Sequence, residues 1–225
     1  MTGQKDSEKK GSVCIIPARG GSKRIPGKNI KKFAGKPIIA YSIEVALASG
    51  LFGQVVVSTD SEEIAEIARE YGASVPCLRP RALADDRTGV AEVVRHALLE
   101  MREGRELPVY GCCILATAPF LQPEFLKSGY DRINEADAAL AVSVSTFNST
   151  IFRALKINLA GRLSMIWPEN DLLNSQDFPE AYHDAGQFYW FRIAEFLETN
   201  GLLEEGALPV RLPVHLVQDI DTPED

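Results

Sequence analysis

Short apolar runs alternate along this chain with stretches whose apolar positions recur every three or four residues. The run VCIIPA (13–18) is continuous and apolar, as in a strand covered on both faces. In KPIIAYSIEVALASG, Ile39, Ile43, Ala46 and Leu47 fall at helical spacing; Pro37 suits the first turn and Gly50 the stop. GQVVVSTD predicts a second buried strand. SEEIAEIAREYG predicts a helix with Asp60 or Ser61 as cap and Gly72 as stop. A short strand is expected over 74–76, a helix over 88–102, a strand at YGCCILAT, a helix over Pro123–Glu135 and a strand at AALAVSVS.

Strand–helix alternation of this kind makes an α/β protein, a Rossmann-like, mainly parallel sheet flanked by helices. Ligands of such sheets bind beyond the carboxyl ends of the strands. Three polar segments sit there: the loop from Arg19, STD (58–60) and ATAPF (116–120). After Val144 the pattern changes. Residues 151–167 alternate around a turn signal at NLAGR and predict a β-ribbon, 168–186 are loop-rich, and QFYWF returns as an aromatic strand. A short helix, a last strand at LPVRLPVHLV and the tail QDIDTPED follow. One domain is expected over 13–225, after a disordered tail at 1–12, with an excursion over 145–182 that serves as a lid or dimer arm.

Composition narrows the partners. The 225 residues carry a net charge of −7, so no general attraction to nucleic acid or an anionic membrane is expected. No apolar secretory or membrane segment is seen, and Cys14, Cys77, Cys112 and Cys113 have no metal-ligand spacing; they are expected to be small buried hydrophobes in a reducing cytoplasm. Against the acidic background one segment stands out. From Lys9 to Ile43 there is no acid but nine Lys or Arg residues.

That segment contains RGGSKRIPGKN (19–29). It is not a Rossmann fingerprint, since G-x-G-x-x-G is absent. Nor is it a Walker A loop: Gly21 and Gly27 are one residue too far apart, and Asn29 replaces the magnesium-binding hydroxyl. Its chemistry is still anion-directed. Gly20 and Gly21 let backbone N–H groups approach an anion, Ser22 adds a donor, and Arg19, Lys23, Arg24 and Lys28 add charge.

The stretch IIPARGGSKRIPGKNIKKFAGKPIIAYSI, with VVVSTDSEEIAEIAREYGA, RPRALADDRTG, ATAPFLQP and the closing QDIDTPED, resembles the cytidylyltransferases of the CMP-sialic acid synthetase family over nearly all of the chain. SKRIPGKN, ATAPF and YHDAGQFYW are similar to the forms of the pseudaminic acid branch. Leu115 stands where sialic acid enzymes carry a glutamine, and Phe120, Phe188 and Tyr189 suggest a more aromatic sugar site. The resemblance implies a nucleotidyltransferase that joins CTP and a nine-carbon 2-keto sugar acid, releasing pyrophosphate, with Mg²⁺ as cofactor and a homodimer as assembly. N-acetylneuraminic or legionaminic acid is the alternative acceptor, and a CTP-binding module without turnover the alternative of another class.

On that reading Arg19, Ser22 and Lys28 hold the triphosphate with Gly20, Gly21 and Lys23, and Lys28 stabilises the leaving group. Asn29 orients the α-phosphate or ribose. Asp219 and Asp221, two apart on an extended segment, share one side and are the implied metal ligands. Arg79 is the candidate reader of cytosine, or else a surface ion pair. Asp60 is a ligand or a helix cap, and Asp85, Asp86 and Thr88 cap the next helix or line the site. The sugar candidates are Thr117, Phe120, Gln176 and Gln187, with Asp177 beside them; His183 is a loop histidine weighed as a base. Trp167 and Trp190 are expected to pack.

Overall fold

The computed structural model describes residues 11–103, 106–136, 138–199, 201–222 and 224–225. The first ten positions of the expected tail lie outside the described residues, and Ser12 already opens a strand. The first half of the chain holds β1 (Ser12–Pro17), β2 (Lys32–Phe33), β3 (Lys36–Pro37), α1 (Ile38–Ser49), β4 (Gln54–Ser58), α2 (Glu62–Glu70), α3 (Val90–Arg102) and β5 (Tyr110–Ile114). The second half holds α4 (Pro123–Glu135), β6 (Leu140–Thr146), β7 (Leu155–Ile157), β8 (Leu163–Met165), β9 (Tyr182–Arg192), α5 (Ile193–Glu198) and β10 (Leu208–Arg211).

Six strands form one sheet in the order β10-β6-β9-β5-β1-β4. β1 runs parallel to β4 and β5, β10 runs parallel to β6, and β9 is antiparallel to both of its neighbours. The sheet is therefore mainly parallel with one reversed strand. Helices cover both faces, which is why β1 is an unbroken apolar run. On one face Cys14, Ile16, Val55 and Val57 pack with Ile39 and Ile43 of α1, Ile64 of α2 and Leu126 and Ile133 of α4. On the other, Val13, Ile15 and Val56 pack with Val94 and Leu98 of α3 and Phe196 of α5. Trp190, Phe188 and Phe191 are among the largest wholly buried side chains, each contributing about 1.5–3 kcal/mol of transfer free energy. Trp190 is a packing residue: its indole stacks on Phe52 at 5.1 Å and donates to the Leu126 carbonyl at 3.0 Å. Gly129 is needed for this, because a Cβ there would lie 2.6 Å from the Trp190 ring.

Several boundaries differ from expectation, each for a local reason. The predicted strand at 74–76 is a single bridge from Ser74 to Val56. Pro37 is the residue before α1 rather than its first turn. An unforeseen hairpin, β2–β3, returns the chain from the basic loop through Ala34 and Gly35, both at positive φ. The last strand stops at Arg211, and beyond Leu212 the chain turns at Pro213 into a 3-10 turn, Val214–Leu216. β9 starts five residues before QFYWF. Its polar opening conceals it, and so does a bulge: pairing with β6 shifts register between Val142 and Val144, Gly186 takes φ 60, and the displaced Phe188 N–H donates to Ser143 Oγ at 3.0 Å. Cys14, Cys112 and Cys113 are buried, but Cys77 is exposed, contrary to the expectation for all four.

Between β6 and β9 the chain forms the two-stranded β7–β8 ribbon. Its turn is closed by Asn158 Oδ1, which accepts from Ala160 and Arg162 N–H, with Gly161 at φ 72. Leu155, Ile157, Leu159 and Leu163 of this segment are exposed, as is Trp167. No helix among the described residues is long and apolar enough to cross a membrane.

Candidate active site

The carboxyl end of β1 releases the chain into the basic loop, and three contacts shape that loop. Asn29, buried, donates its side-chain amide to the Arg19 carbonyl at 2.9 Å and clasps the loop's two ends. Gly20 N–H donates to Asp60 Oδ1 at 3.0 Å. The Lys28 N–H donates to the Ile25 carbonyl at 3.1 Å. Asn29 thus has a part in shaping the loop, with one amide hydrogen used on the backbone. One expectation changes here. The Gly20 amide is held by a carboxylate and does not face open space as an anion donor. Gly20 is still required, since a Cβ there would come within 3.0 Å of Ser61 Cβ.

The loop faces a cleft of about 340 Å³ lined by Arg19, Ser22, Lys23, Arg24, Lys28, Asp86 and Asp221. Lys28 Nζ donates to the Ile220 carbonyl at 2.6 Å and lies 3.3 Å from Asp221 Oδ1; the other carboxylate oxygen is 2.9 Å from Arg24. Lys28 and Asp221 are 193 residues apart in the chain. The cationic turn and Asp221 of the terminal acidic pair therefore meet over one cavity. At the other end Arg19 pairs with Asp86 at 2.9 Å and donates to the Asp85 carbonyl at 2.8 Å, and Lys23 pairs with Asp86. The Lys23 contact and the nearby Arg19 charge hold the Asp86 carboxyl below its usual range. Asp85 is lowered too, because its Oδ1 accepts from the Thr88 hydroxyl and from the Thr88 and Arg87 amides. Asp85 thus closes a turn ahead of α3, while Asp86 lines the site and caps nothing.

The residues Asp219 and Asp221 fit a cation site. Asp219 is raised by partial burial first and by the Asp221 charge second, with Lys28 opposing. Two mutually repelling carboxylates beside a phosphate-sized cleft suit a divalent ion. Among the described residues no group of three or more His, Cys, Asp or Glu side chains gathers as a metal site. The support of this pair is a feature that sequence reading misses. Asp225 accepts from the Asp221 N–H at 2.8 Å and the Thr222 N–H at 2.7 Å, which lowers its own pKa. The DTPED spacing is the available signal, but in one dimension it reads as tail.

Arg79 is 5% exposed. Burial lowers its pKa, Asp60 at 3.8 Å opposes that shift, and its Nε has no partner among the described residues. It is not a surface ion pair. Ser61, not Asp60, caps α2, accepting from Ile64 N–H at 3.4 Å; Asp60 joins Arg79 to the basic loop.

The sugar candidates scatter. Thr117 is half-buried on the loop after β5, and Phe120 is 40% exposed against Phe33. Gln176 and Asp177 are exposed within the excursion and line neither the cleft of the basic loop nor that beside His183. Gln187 is 2% exposed and turned into the protein, so direct contact with a sugar is corrected. Phe188 and Tyr189 are core residues and add no aromatic surface. The Tyr189 hydroxyl donates to Asp184 at 2.6 Å; burial, then that contact, raise its pKa. His183 packs on Phe147 at 5.0 Å. It lines a second cleft of about 490 Å³ with Ser145, Asn148 and Ser149, at the carboxyl end of β6 and hence on the same rim of the sheet.

Residues 13–206 match the family model described as Cytidylyltransferase. The chain is 41% identical over 214 residues to a pseudaminic acid cytidylyltransferase of Campylobacter jejuni, covering 95% of this chain and 92% of that protein. It is 35% identical to the CMP-N,N'-diacetyllegionaminic acid synthase of Legionella pneumophila, over 95% of this chain and 92% of that one. Its fold matches a CMP:2-keto-3-deoxy-manno-octonic acid synthetase complexed with CTP, with a TM-score of 0.70 at 16% identity over 95% and 94% of the two chains. With the family model spanning most of the chain and relatives aligned nearly end to end, this protein belongs to the cytidylyltransferase family.

Proposed function

We propose that this cytidylyltransferase transfers CMP from CTP to the anomeric hydroxyl of pseudaminic acid, giving the CMP-sugar and pyrophosphate. The observation that carries the reading is the meeting of Lys28 and Arg24 with Asp221 in one phosphate-sized cleft. The acceptor follows from the 41% identity to a relative of that name. The sugar hydroxyl attacks the α-phosphorus in line and gives up its proton to solvent; the new P–O bond forms as the bond to the β-phosphate oxygen breaks, and pyrophosphate leaves with the electron pair. Such transfer depends on positioning and charge neutralisation. Arg19, Ser22, Lys23 and Lys28 bind the triphosphate, and Lys28 neutralises the leaving pyrophosphate. Arg79 orders the cytosine side through Asp60. Asp219 and Asp221 are the residues that would hold Mg²⁺, which when bound supplies further neutralisation at the phosphates. The acceptor lies along the rim from Thr117 and Phe120 towards the polar cleft of Ser145, Asn148 and His183, whose hydroxyls and amide suit a sugar acid with acetamido groups.

Pyrophosphate release with CTP, Mg²⁺ and a panel of pseudaminic, N-acetylneuraminic and legionaminic acids tests this. Turnover is expected with pseudaminic acid first. Preference for another acid moves the acceptor assignment, and CTP binding with no turnover on any of them leaves a nucleotide-binding module instead.

Asp86 occupies Arg19 and Lys23 where phosphate oxygens would sit, so it competes with the nucleotide. Asp86→Asn is expected to lower KM for CTP about threefold, a small factor because exposed ion pairs are weak, with kcat retained. Initial rates at varied CTP check this; a collapse of kcat would instead make Asp86 part of the catalytic machinery.

The assembly is a homodimer built through the excursion at 145–182, which leaves Leu155, Ile157, Leu159 and Leu163 exposed. Light scattering at micromolar concentration should return twice the chain mass, and a single chain mass refutes it. The compartment is the reducing cytoplasm, where all four cysteines remain thiols.

A further inference from the structure

After β10 the chain crosses the carboxyl ends of the strands as a strap, and it is fastened at nearly regular intervals. At Leu212, the N–H donates to the Val144 carbonyl at 2.8 Å and the carbonyl accepts from Ser145 Oγ at 3.1 Å. At Leu216, the carbonyl accepts from Gln187 Nε2 at 2.5 Å. At Ile220, the carbonyl accepts from Lys28 Nζ. The strap then delivers Asp221 to the cleft, with Asp219 two residues before it and near enough to feel its charge. Its outer fastenings belong to β6 and to the basic loop. The middle one belongs to β9, through the Gln187 side chain.

We infer that Gln187 is a positioning residue that holds the strap, and with it the Asp219–Asp221 pair, in register over the nucleotide cleft. Three observations carry this. Gln187 sits in the β9 bulge, beside Gly186 at positive φ, and bulges of this kind re-aim a side chain. Its backbone carbonyl accepts from Leu115 N–H at 2.9 Å, so one residue links β9, the loop after β5 and the strap. Its amide is buried with Oε1 unpartnered among the described residues. A buried amide with one end unpaired is unfavourable, and packing alone would be served better by leucine or methionine. The bond to Leu216 is what the amide contributes.

The inference rests on reading Asp219 and Asp221 as metal ligands, and its test separates the two. Gln187→Met keeps the volume and removes the donor. In the ligand-free protein, amide exchange over 214–222 should quicken. In turnover, the Mg²⁺ concentration for half-maximal rate should rise about tenfold, the scale seen when a residue supporting a metal ligand is lost. KM for CTP and kcat at saturating Mg²⁺ should stay near wild type, because the basic loop is untouched. Gln187→Glu, which presents a carboxylate to the Leu216 carbonyl, should shift both readouts in the same direction, and Ile133→Val, a core change under α4, should move neither. Unchanged exchange in the Met and Glu variants overturns the fastening. Faster exchange with an unchanged Mg²⁺ response overturns the link to the acidic pair. A wild-type protein that turns over without Mg²⁺ overturns both the metal reading and this role.

Discussion

Lys28→Ala is expected to lower kcat by roughly 10²–10³-fold, about 3–4 kcal/mol of transition-state stabilisation, the scale for removing one preorganised donor at a site of developing charge. Its ammonium is only partly exposed and is already fixed by the Ile220 carbonyl and Asp221. It therefore needs little reorganisation when charge moves onto the leaving pyrophosphate. The unfolding midpoint should hardly move, because the ammonium and its partners lie at the rim of the cleft and not in either core cluster. A rise in KM with kcat intact would mean that Lys28 grips ground and transition states equally. Equal kcat in the variant would remove its assigned role.

Asp221→Asn should have an effect of at least about 10² on turnover, since it removes one carboxylate of the pair that would hold the divalent ion. A second consequence separates this account from simple damage. Asp221 also neutralises Arg24 at 2.9 Å and Lys28 at 3.3 Å in the ligand-free protein. Without that charge both cations are released towards phosphate, so CTP should bind more tightly to the variant when Mg²⁺ is chelated, even as catalysis fails. Calorimetric titration of CTP with a chelator present, beside rates across a Mg²⁺ series, reads both effects. Wild-type rates at ordinary Mg²⁺ would contradict the ligand assignment, and weaker metal-free binding would contradict the neutralisation.

Much of the architecture is legible in the sequence because it is locally written. VCIIPA and QVVVS are apolar on successive residues only because helices cover both sheet faces, and Ile39, Ile43 and Ala46 repeat at the helical period. The anionic ligand is legible in the acid-free stretch around Arg19. The direction of β9 is not, because an aromatic strand has the same period whichever way it runs. Nor is the fate of polar side chains within it. Gln187 reads as a donor for a sugar until the bulge at Gly186 turns it inward, and Asp86 reads as a cap until the loop before α3 folds over Arg19 and Lys23.

Residue order alone thus settled the main strands and helices, that they form an α/β sheet, and that a basic turn follows the first strand. These depend on side-chain periodicity and charge within a few residues. Only the folded chain decided that Lys28 meets Asp221, that Asn29 clasps its own loop, and that Gln187 fastens the strap. Those pairings span from ten to nearly two hundred residues. They are set by strand order and crossing direction, which no local period records.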